Sequence, residues 1–416
     1  MPRILVDTAP LRESRDFRLL FGGQLLSTLG SQLTAVAIPY QAFAETHSSL
    51  QVGAISLAQL VPLIVGSLVG GALGDAYDRR ALMLVTSIGS AAASGGLALN
   101  ALGPHPSLVG LYLLSALAAG LSGLANPARN AAVPSLVPAT HLIAALAFMQ
   151  ILMQLGTIVG PACSGVLLSA TGLAAVYLID ALSFLAVVAS CMLMAPIPPA
   201  PGVRRPGVGS MLEGFRYVRR RQQIGGAYLI DINAMVFGMP RALFPALAVS
   251  VFHGGTSTLG LLYAAPGVGA LLGAVATGWV SGLRRRGWGV TLAVGVWGLA
   301  IAAFGLVHVL WAALILLAVA GWADVISAVL RNTIIQTSVS DEFRSRLSSF
   351  QMAVVQGGPR LGDFEAGGVA SAFSPEISIV SGGLACVLGA AVLVAVLPGF
   401  RQHRTLPERA PSPPPA

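Results

Sequence analysis

Several ionisable residues stand inside apolar stretches of this sequence: Asp180, Asp231, Arg241, Asp324, Arg360, Asp363 and Glu365. Ionisable groups in such surroundings are costly, so each is a candidate for holding a proton, an ion or a charged ligand. Asp363, Glu365 and Asp231 are the acids placed to carry a proton, and Arg241 and Arg360 are the cations able to hold an anionic ligand. Arg360 and Asp363 can pair on one helix face. Ligand binding to Arg360 would release Asp363 for protonation, which makes Asp363 the first choice of carrier. Glu365 lies about 200° round a straight helix from Asp363, so both face one cavity only if the nearby Pro359 and its flanking glycines bend the chain. Asp180 and Asp324 lie closer to span ends or packed faces and are read as structural. Gln24, Ser31, Gln32, Tyr40, Asn233, Gln351 and Gln356 are uncharged polar residues able to line the same cavity and bind substrate.

Composition restricts the setting for this chemistry. The chain has 416 residues, 55% apolar and only 10% charged. A soluble domain carries roughly 25% charged residues, so lipid is the main solvent here. The basic residues are all arginine, which excludes a P-loop ATPase and a lysine Schiff base. Cys163, Cys191 and Cys386 are far apart and form neither a metal spacing nor a redox pair. No metal, cofactor or nucleic-acid partner is implied. The net charge of +8 is read as loop arginine. The glycine-rich Gly267–Gly273 follows no strand and reads as helix packing rather than a dinucleotide fingerprint. No nucleophile–base pair falls within the apolar stretches, so an enzyme is not expected.

A helix needs about 20 apolar residues to cross a bilayer. Twelve such runs are expected, at about 17–43, 50–74, 81–102, 107–129, 142–169, 172–195, 224–250, 257–281, 288–307, 310–331, 347–371 and 377–399. The seventh and eleventh are the weakest, because they hold charges. The charged first twenty residues read as a short cytoplasmic tail rather than a cleavable signal. Every arginine except Arg241 and Arg360 falls in the even-numbered connections, the tails or adjoining span ends, so both termini are expected in the cytoplasm.

The expected division is an N-terminal six-helix half (1–195), a cytoplasmic linker (196–223), a C-terminal half (224–400) and a disordered tail (401–416). The linker begins proline-rich and ends in SMLEGFRYVRRRQQI, which reads as a basic amphipathic helix on the membrane surface. The halves repeat each other at offsets of about 200 residues: Arg129-Asn130 matches Arg331-Asn332, Gly160-Pro161 matches Gly358-Pro359, and Gly71–Arg80 matches Gly278–Arg286. Two six-helix repeats with a mid-membrane site between them form a transporter architecture.

Several segments carry a resemblance. Gly71-x-Leu73-x-Asp75-x-x-Asp78-Arg79-Arg80 resembles the loop signature of the major facilitator superfamily, with Asp78 where the pattern usually has glycine. Gly156-x-x-x-Gly160-Pro161-x-x-x-Gly165 is similar to the antiporter motif of that superfamily's exporters. The whole chain resembles the enterobactin-type siderophore exporter branch, through segments such as Asp16-Phe17-Arg18 and Glu213-Gly214-Phe215-Arg216-Tyr217. The resemblance implies an all-α major facilitator fold whose cavity is lined by spans one, four, seven and ten. It implies that Asp75, Arg79 and Arg80, with Arg129 as a partner, latch the cytoplasmic side while the cavity faces outward. It implies a seam against proton leak at the antiporter motif. Some drug exporters carry an acid in span one; this chain has none, which moves the proton carrier to the C-terminal half. The expected activity is export of a bulky siderophore by proton antiport, from a monomer in the cytoplasmic membrane in contact with lipid. The alternative is a multidrug antiporter for macrolide- or tetracycline-like compounds.

Overall fold

In the computed structural model of the chain, the described residues are 7–198, 216–219, 221–278, 283, 285–339 and 341–401, with backbone alone at 341–350, 352 and 353. The architecture is all-α. The membrane helices are α1 (Arg15–Thr46), α2 (Ser49–Ala76), α3 (Arg79–Leu102), α4 (Leu108–Leu136), α5 and α6 (the two limbs of Leu142–Leu193), α7 (Gln222–Phe237), α8 (Gly255–Val275), α9 (Arg286–Phe304), α10 (Leu310–Ser338), α11 (Asp341–Ala372) and α12 (Pro375–Val396).

Local chemistry sets several boundaries. Ser14 accepts the N–H of Phe17 at the start of α1, Ser107 that of Gly110 in α4, and Ser374 that of Ile377 in α12, where Pro375 supplies the first residue. Each cap satisfies one amide that the helix leaves unpaired. The 52 residues of Leu142–Leu193 would span about 78 Å if straight, over twice the hydrocarbon thickness. Gly172, at φ 79° and ψ 177°, divides that helix into its two passes. This backbone conformation suits glycine because it has no Cβ.

Nine stretches among the described residues are long and apolar enough to cross a membrane, one of them the doubled α5–α6. The helices outside that set are α1 and α11; with them the described helices are consistent with twelve passes. The weak spans are therefore the first and eleventh, and the seventh qualifies. Amides and hydroxyls of the cavity wall dilute α1, and charged side chains dilute α11.

The seventh span, expected as one helix over 224–250, is broken. It stops at Phe237, resumes as a single turn at Arg241–Leu243, and continues as Phe244–Ser250. Pro240 has no N–H to continue the ladder. Trp297 Nε1 donates to the Gly238 carbonyl at 2.8 Å, taking up an acceptor that the break exposes.

Within the N-terminal half α1 packs on the α5–α6 hairpin and α2 on α4; within the C-terminal half α8 and α9 pack on α10. The halves meet along α2–α11 and α5–α8. Both seams are tight at the end bearing the 47–48 and 253–254 loops. A Cβ on Gly165 of α5 would lie 2.6 Å from the Thr256 carbonyl, and one on Gly367 of α11 would lie 2.5 Å from the Ser49 carbonyl. Small residues at these crossings let the backbones touch and shut that end. Of the linker, residues 216–219 are helical, Val218 is buried, and Arg221 lies over the Tyr217 ring at 4.8 Å. The rest of the expected amphipathic helix, Gly282 at the position matching Asp75 in the C-terminal copy of the loop signature, and the 402–416 tail lie outside the described residues.

Candidate functional site

A cavity of about 520 Å³ opens between the halves. Its N-terminal wall is rich in hydroxyls and amides, with Ser27, Ser31 and Gln32 on α1 and Ser87, Ser90 and Ser94 on α3. The C-terminal side contributes charge through Arg241, Arg360 and Asp363, beside Tyr263. Among the described residues, α2, α3, α5, α6, α8 and α11 line the cavity along with α1, α4 and the break of the seventh span, and no residue of α10 does. The four-helix lining implied by the family resemblance is thus replaced by a broader and lopsided one.

The break in the seventh span builds the charged corner. Where the helix restarts, the amide of Ala242 lacks an intrahelical partner and donates instead to Asp363 Oδ1 at 3.1 Å. Asp363 Oδ2 accepts from Ser56 Oγ of α2 at 2.8 Å. Tyr263 Oη donates to the Arg241 carbonyl at 3.0 Å, fixing the same restart from α8. A carboxylate at a helix start, bonded to its free amide, is a favourable charge-assisted arrangement. Arg360 Nη1 donates one turn back to the Gln356 carbonyl at 3.1 Å, and no ion pair joins it to Asp363. The pairing expected from their spacing is not formed here, because Asp363 turns to Ser56 and Ala242.

Arg129 reaches into the cavity rather than to the loop. Its Nη1 donates to Gln24 Oε1 at 2.9 Å and its Nη2 to Asn126 Oδ1. No ion pair joins it to Asp75, which is half-buried near the end of α2 just beyond Gly71. Arg79 is buried and spends its guanidinium on carbonyls of Gly74 and Ala131 and on Ser135 Oγ. Arg80 donates to the carbonyls of Cys191 and Met192, capping the C-terminal end of α6. Asp78 accepts the amides of Arg80 and Ile197, both at 2.9 Å. The unusual Asp78 thereby clips the chain leaving α6 to the start of α3, which a glycine could not do.

In the antiporter motif, Gly156 and Gly160 face α1, where a Cβ would come within 2.7 Å of Thr28 and 2.4 Å of Gln32. Gly165 faces Gly260 of α8, and Pro161 borders the cavity. The motif therefore joins one packing seam within the half to one between halves.

Other polar residues singled out by sequence point elsewhere. Asp231 is buried and pairs with Arg331 Nη1 at 2.8 Å, with Asp324 at 3.9 Å from the same guanidinium. Asn233 donates to the Cys386 carbonyl of α12 at 2.8 Å, and Gln351 to Asn332 Oδ1 at 2.9 Å. Tyr40 packs against the apolar core, and Gln356 and Glu365 are half-buried off the cavity wall. The reverse holds for Asp180, read from sequence as structural: it lines the cavity on its N-terminal side. The one local signal that could have marked it is an acid in an otherwise apolar span with no nearby arginine.

The chain matches the family described as transmembrane secretion effector over residues 6–415. It is 32% identical over 410 residues to the enterobactin exporter EntS of Citrobacter koseri, covering 98% of each chain, and 30% identical over 403 residues to that of Escherichia coli O1:K1, covering 97% of each. Its fold is similar to that of a bacterial homologue of the lysosomal transporter Spinster, inward-facing and unoccupied, at TM-score 0.74 and 16% identity over 94% of this chain and 98% of that one. A bacterial homologue of ferroportin, also inward-facing, gives TM-score 0.64 at 16% identity, over 92% and 98% of the two chains. With long apolar helices packed around a shared cavity, and a family match along nearly its whole length, the chain belongs to the transmembrane secretion effector family of major facilitator transporters.

Proposed function

We propose that the protein exports a siderophore of the enterobactin type across the cytoplasmic membrane in exchange for protons, acting as a monomer with both termini inside. The observation that carries this is 30–32% identity to enterobactin exporters along nearly the whole chain. The cavity supports it: three arginines, Arg129, Arg241 and Arg360, and a wall of hydroxyls suit a bulky, oxygen-rich ligand with acidic groups. The placement of arginine in the loops supports the orientation. In that orientation the closed end is the outer one, and the cavity serves substrate arriving from the cytoplasm.

Asp363 is the exchange point in this reading. As a carboxylate it holds Ser56 of one half and the restart of α7 in the other. A proton is taken up by it while the cavity faces outward and given to the cytoplasm while the cavity faces inward, which leaves a carboxylate holding both donors until substrate arrives. Substrate on Arg241 or Arg360 competes for the same corner. The halves then rock to the outward state, in which Asp75 has a role as the latch. Two halves of one chain complete the cavity, so no second copy is required. An iron-starved strain lacking the protein is expected to secrete less siderophore and retain more inside. Unchanged secretion with raised sensitivity to lipophilic antibiotics would instead support multidrug export.

A further inference from the structure

Asp180 sits on α6 at 2% exposure, in the N-terminal half and away from the corner held by Asp363. Three helices converge on it. Thr34 Oγ1 of α1 donates to Oδ2 at 2.7 Å, and Ser94 Oγ of α3 donates to the same oxygen at 2.8 Å. The other oxygen is treated differently. Oδ1 has only Ser31 Oγ and Ser183 Oγ, each at 3.5 Å. Ser183 Oγ has a single hydrogen, and its 2.7 Å bond to the Asp180 backbone carbonyl is far shorter than its 3.5 Å approach to Oδ1, so the carbonyl takes the hydrogen and a lone pair is left for Oδ1. Gly30 of α1 leaves the space: a Cβ there would lie 2.9 Å from Oδ1.

We propose that Asp180, with Thr34, Ser94, Ser31 and Ser183, forms a second proton-binding site, built into the N-terminal half opposite Asp363. Oδ2 is saturated by two donors, while Oδ1 has room for a hydrogen and an acceptor waiting in Ser183 Oγ. A proton on Oδ1 converts the long contact into an O–H···O bond and leaves the donors to Oδ2 in place. Hydroxyls suit this role because each both donates and accepts. Among the described residues no arginine is within ion-pair distance of Asp180, so hydroxyls alone face its carboxyl. The other titratable group nearby is Tyr177, one turn away on α6; its Oη is held by Gln41 Oε1 at 2.8 Å, and Gln41 in turn donates to the exposed Glu45 at 2.6 Å. From α1 and α3 the facing groups are hydroxyls. Because α1 also carries Gln24 and Gln32 on the cavity wall, charge on Asp180 tightens the helix that substrate contacts.

The site itself needs no transport assay, and only its consequence rests on the proton-exchange reading. The full chain in lipid nanodiscs is taken from about pH 5 to about pH 9, and the C=O stretch of protonated carboxyls is followed by infrared difference spectroscopy. One band is expected to be lost in Asp180→Asn and retained in Asp363→Asn. Ser183→Ala, which keeps the acid but removes its acceptor, is expected to move that band's frequency. A spectrum identical in wild type and Asp180→Asn, or a band unmoved in Ser183→Ala, overturns the assignment. Loss of the band on adding sodium at fixed pH would make this a sodium site and overturn it equally. Failure of the wild type to transport enterobactin would remove the export reading and leave this titration unaffected.

Discussion

Ser56 of α2 donates a 2.8 Å hydrogen bond to Asp363 of α11, and this bond crosses from one half of the molecule to the other. The same carboxylate takes the Ala242 amide that the break at Pro240 left unpaired. A single side chain thus ties the closed end of the cavity to both the helix interface and the broken helix. Any event that discharges or displaces it acts on the seam.

Ser56→Ala removes the crossing bond and leaves the acid. A hydrogen bond to a charged group contributes about 1.5–3 kcal/mol, so the closed end is expected to lose roughly tenfold or more in population. Spin labels on the exposed His47 and Phe373 report it by pulsed distance measurement. Longer distances are expected in the variant, and an unchanged distribution would separate the bond from closure.

Asp363→Asn keeps the volume but cannot cycle a proton. Enterobactin uptake into everted vesicles under an imposed pH gradient is expected to fall about tenfold or more, with binding retained. Full gradient-driven transport by this variant would place the carrier elsewhere.

Arg129 offers its guanidinium to the cavity through Gln24 and Asn126. Its pseudo-symmetry mate Arg331 is neutralised by Asp231 and Asp324. Arg129→Gln is therefore expected to weaken enterobactin binding by about tenfold to a hundredfold, the loss of one charged hydrogen-bonding site. Calorimetry on the purified chain measures this; an unaltered Kd assigns Arg129 to packing.

Asp231 and Arg331 are expected to matter for stability. Asp231→Asn leaves a buried guanidinium short of its main partner, at a cost of about 3–5 kcal/mol. The melting temperature in detergent is expected to drop, and to recover in part when Arg331→Met is added. A stable but uncoupled Asp231→Asn would return this acid to the list of proton carriers.

Orientation is checked by single cysteines in a background lacking the native three. His47→Cys and Ser257→Cys, both exposed at the closed end, are expected to react with an impermeant maleimide in intact cells, and the exposed Tyr77→Cys only after permeabilisation. Reaction of Tyr77→Cys in intact cells would invert the topology.

Among the described residues Asp75 has no ion-pair partner, which fits a latch engaged only when the cavity faces the other way. Asp75→Asn is expected to reduce transport about tenfold with the protein still abundant in the membrane, read by efflux against immunoblot.

The residues of this chain determine the passes, the two repeats and the arginine-marked face by themselves. Each is a property of a local window: about twenty apolar residues make a pass, and arginine gathers in the connections unless, like Arg241 and Arg360, it borders the cavity. The direction in which each polar side chain points is not local. Asp180 and Asp231 look alike as single acids in apolar helices, yet one meets hydroxyls from α1 and α3 and the other meets Arg331 of α10. Asn233 turns to Cys386 and Asp363 to Ser56 for the same reason. Which face of a helix meets lipid, a neighbour or the cavity is decided when twelve helices pack around small residues. The partners that settle a charge come from segments far apart in the chain, so only the tertiary structure could separate an acid in an ion pair from one held by hydroxyls.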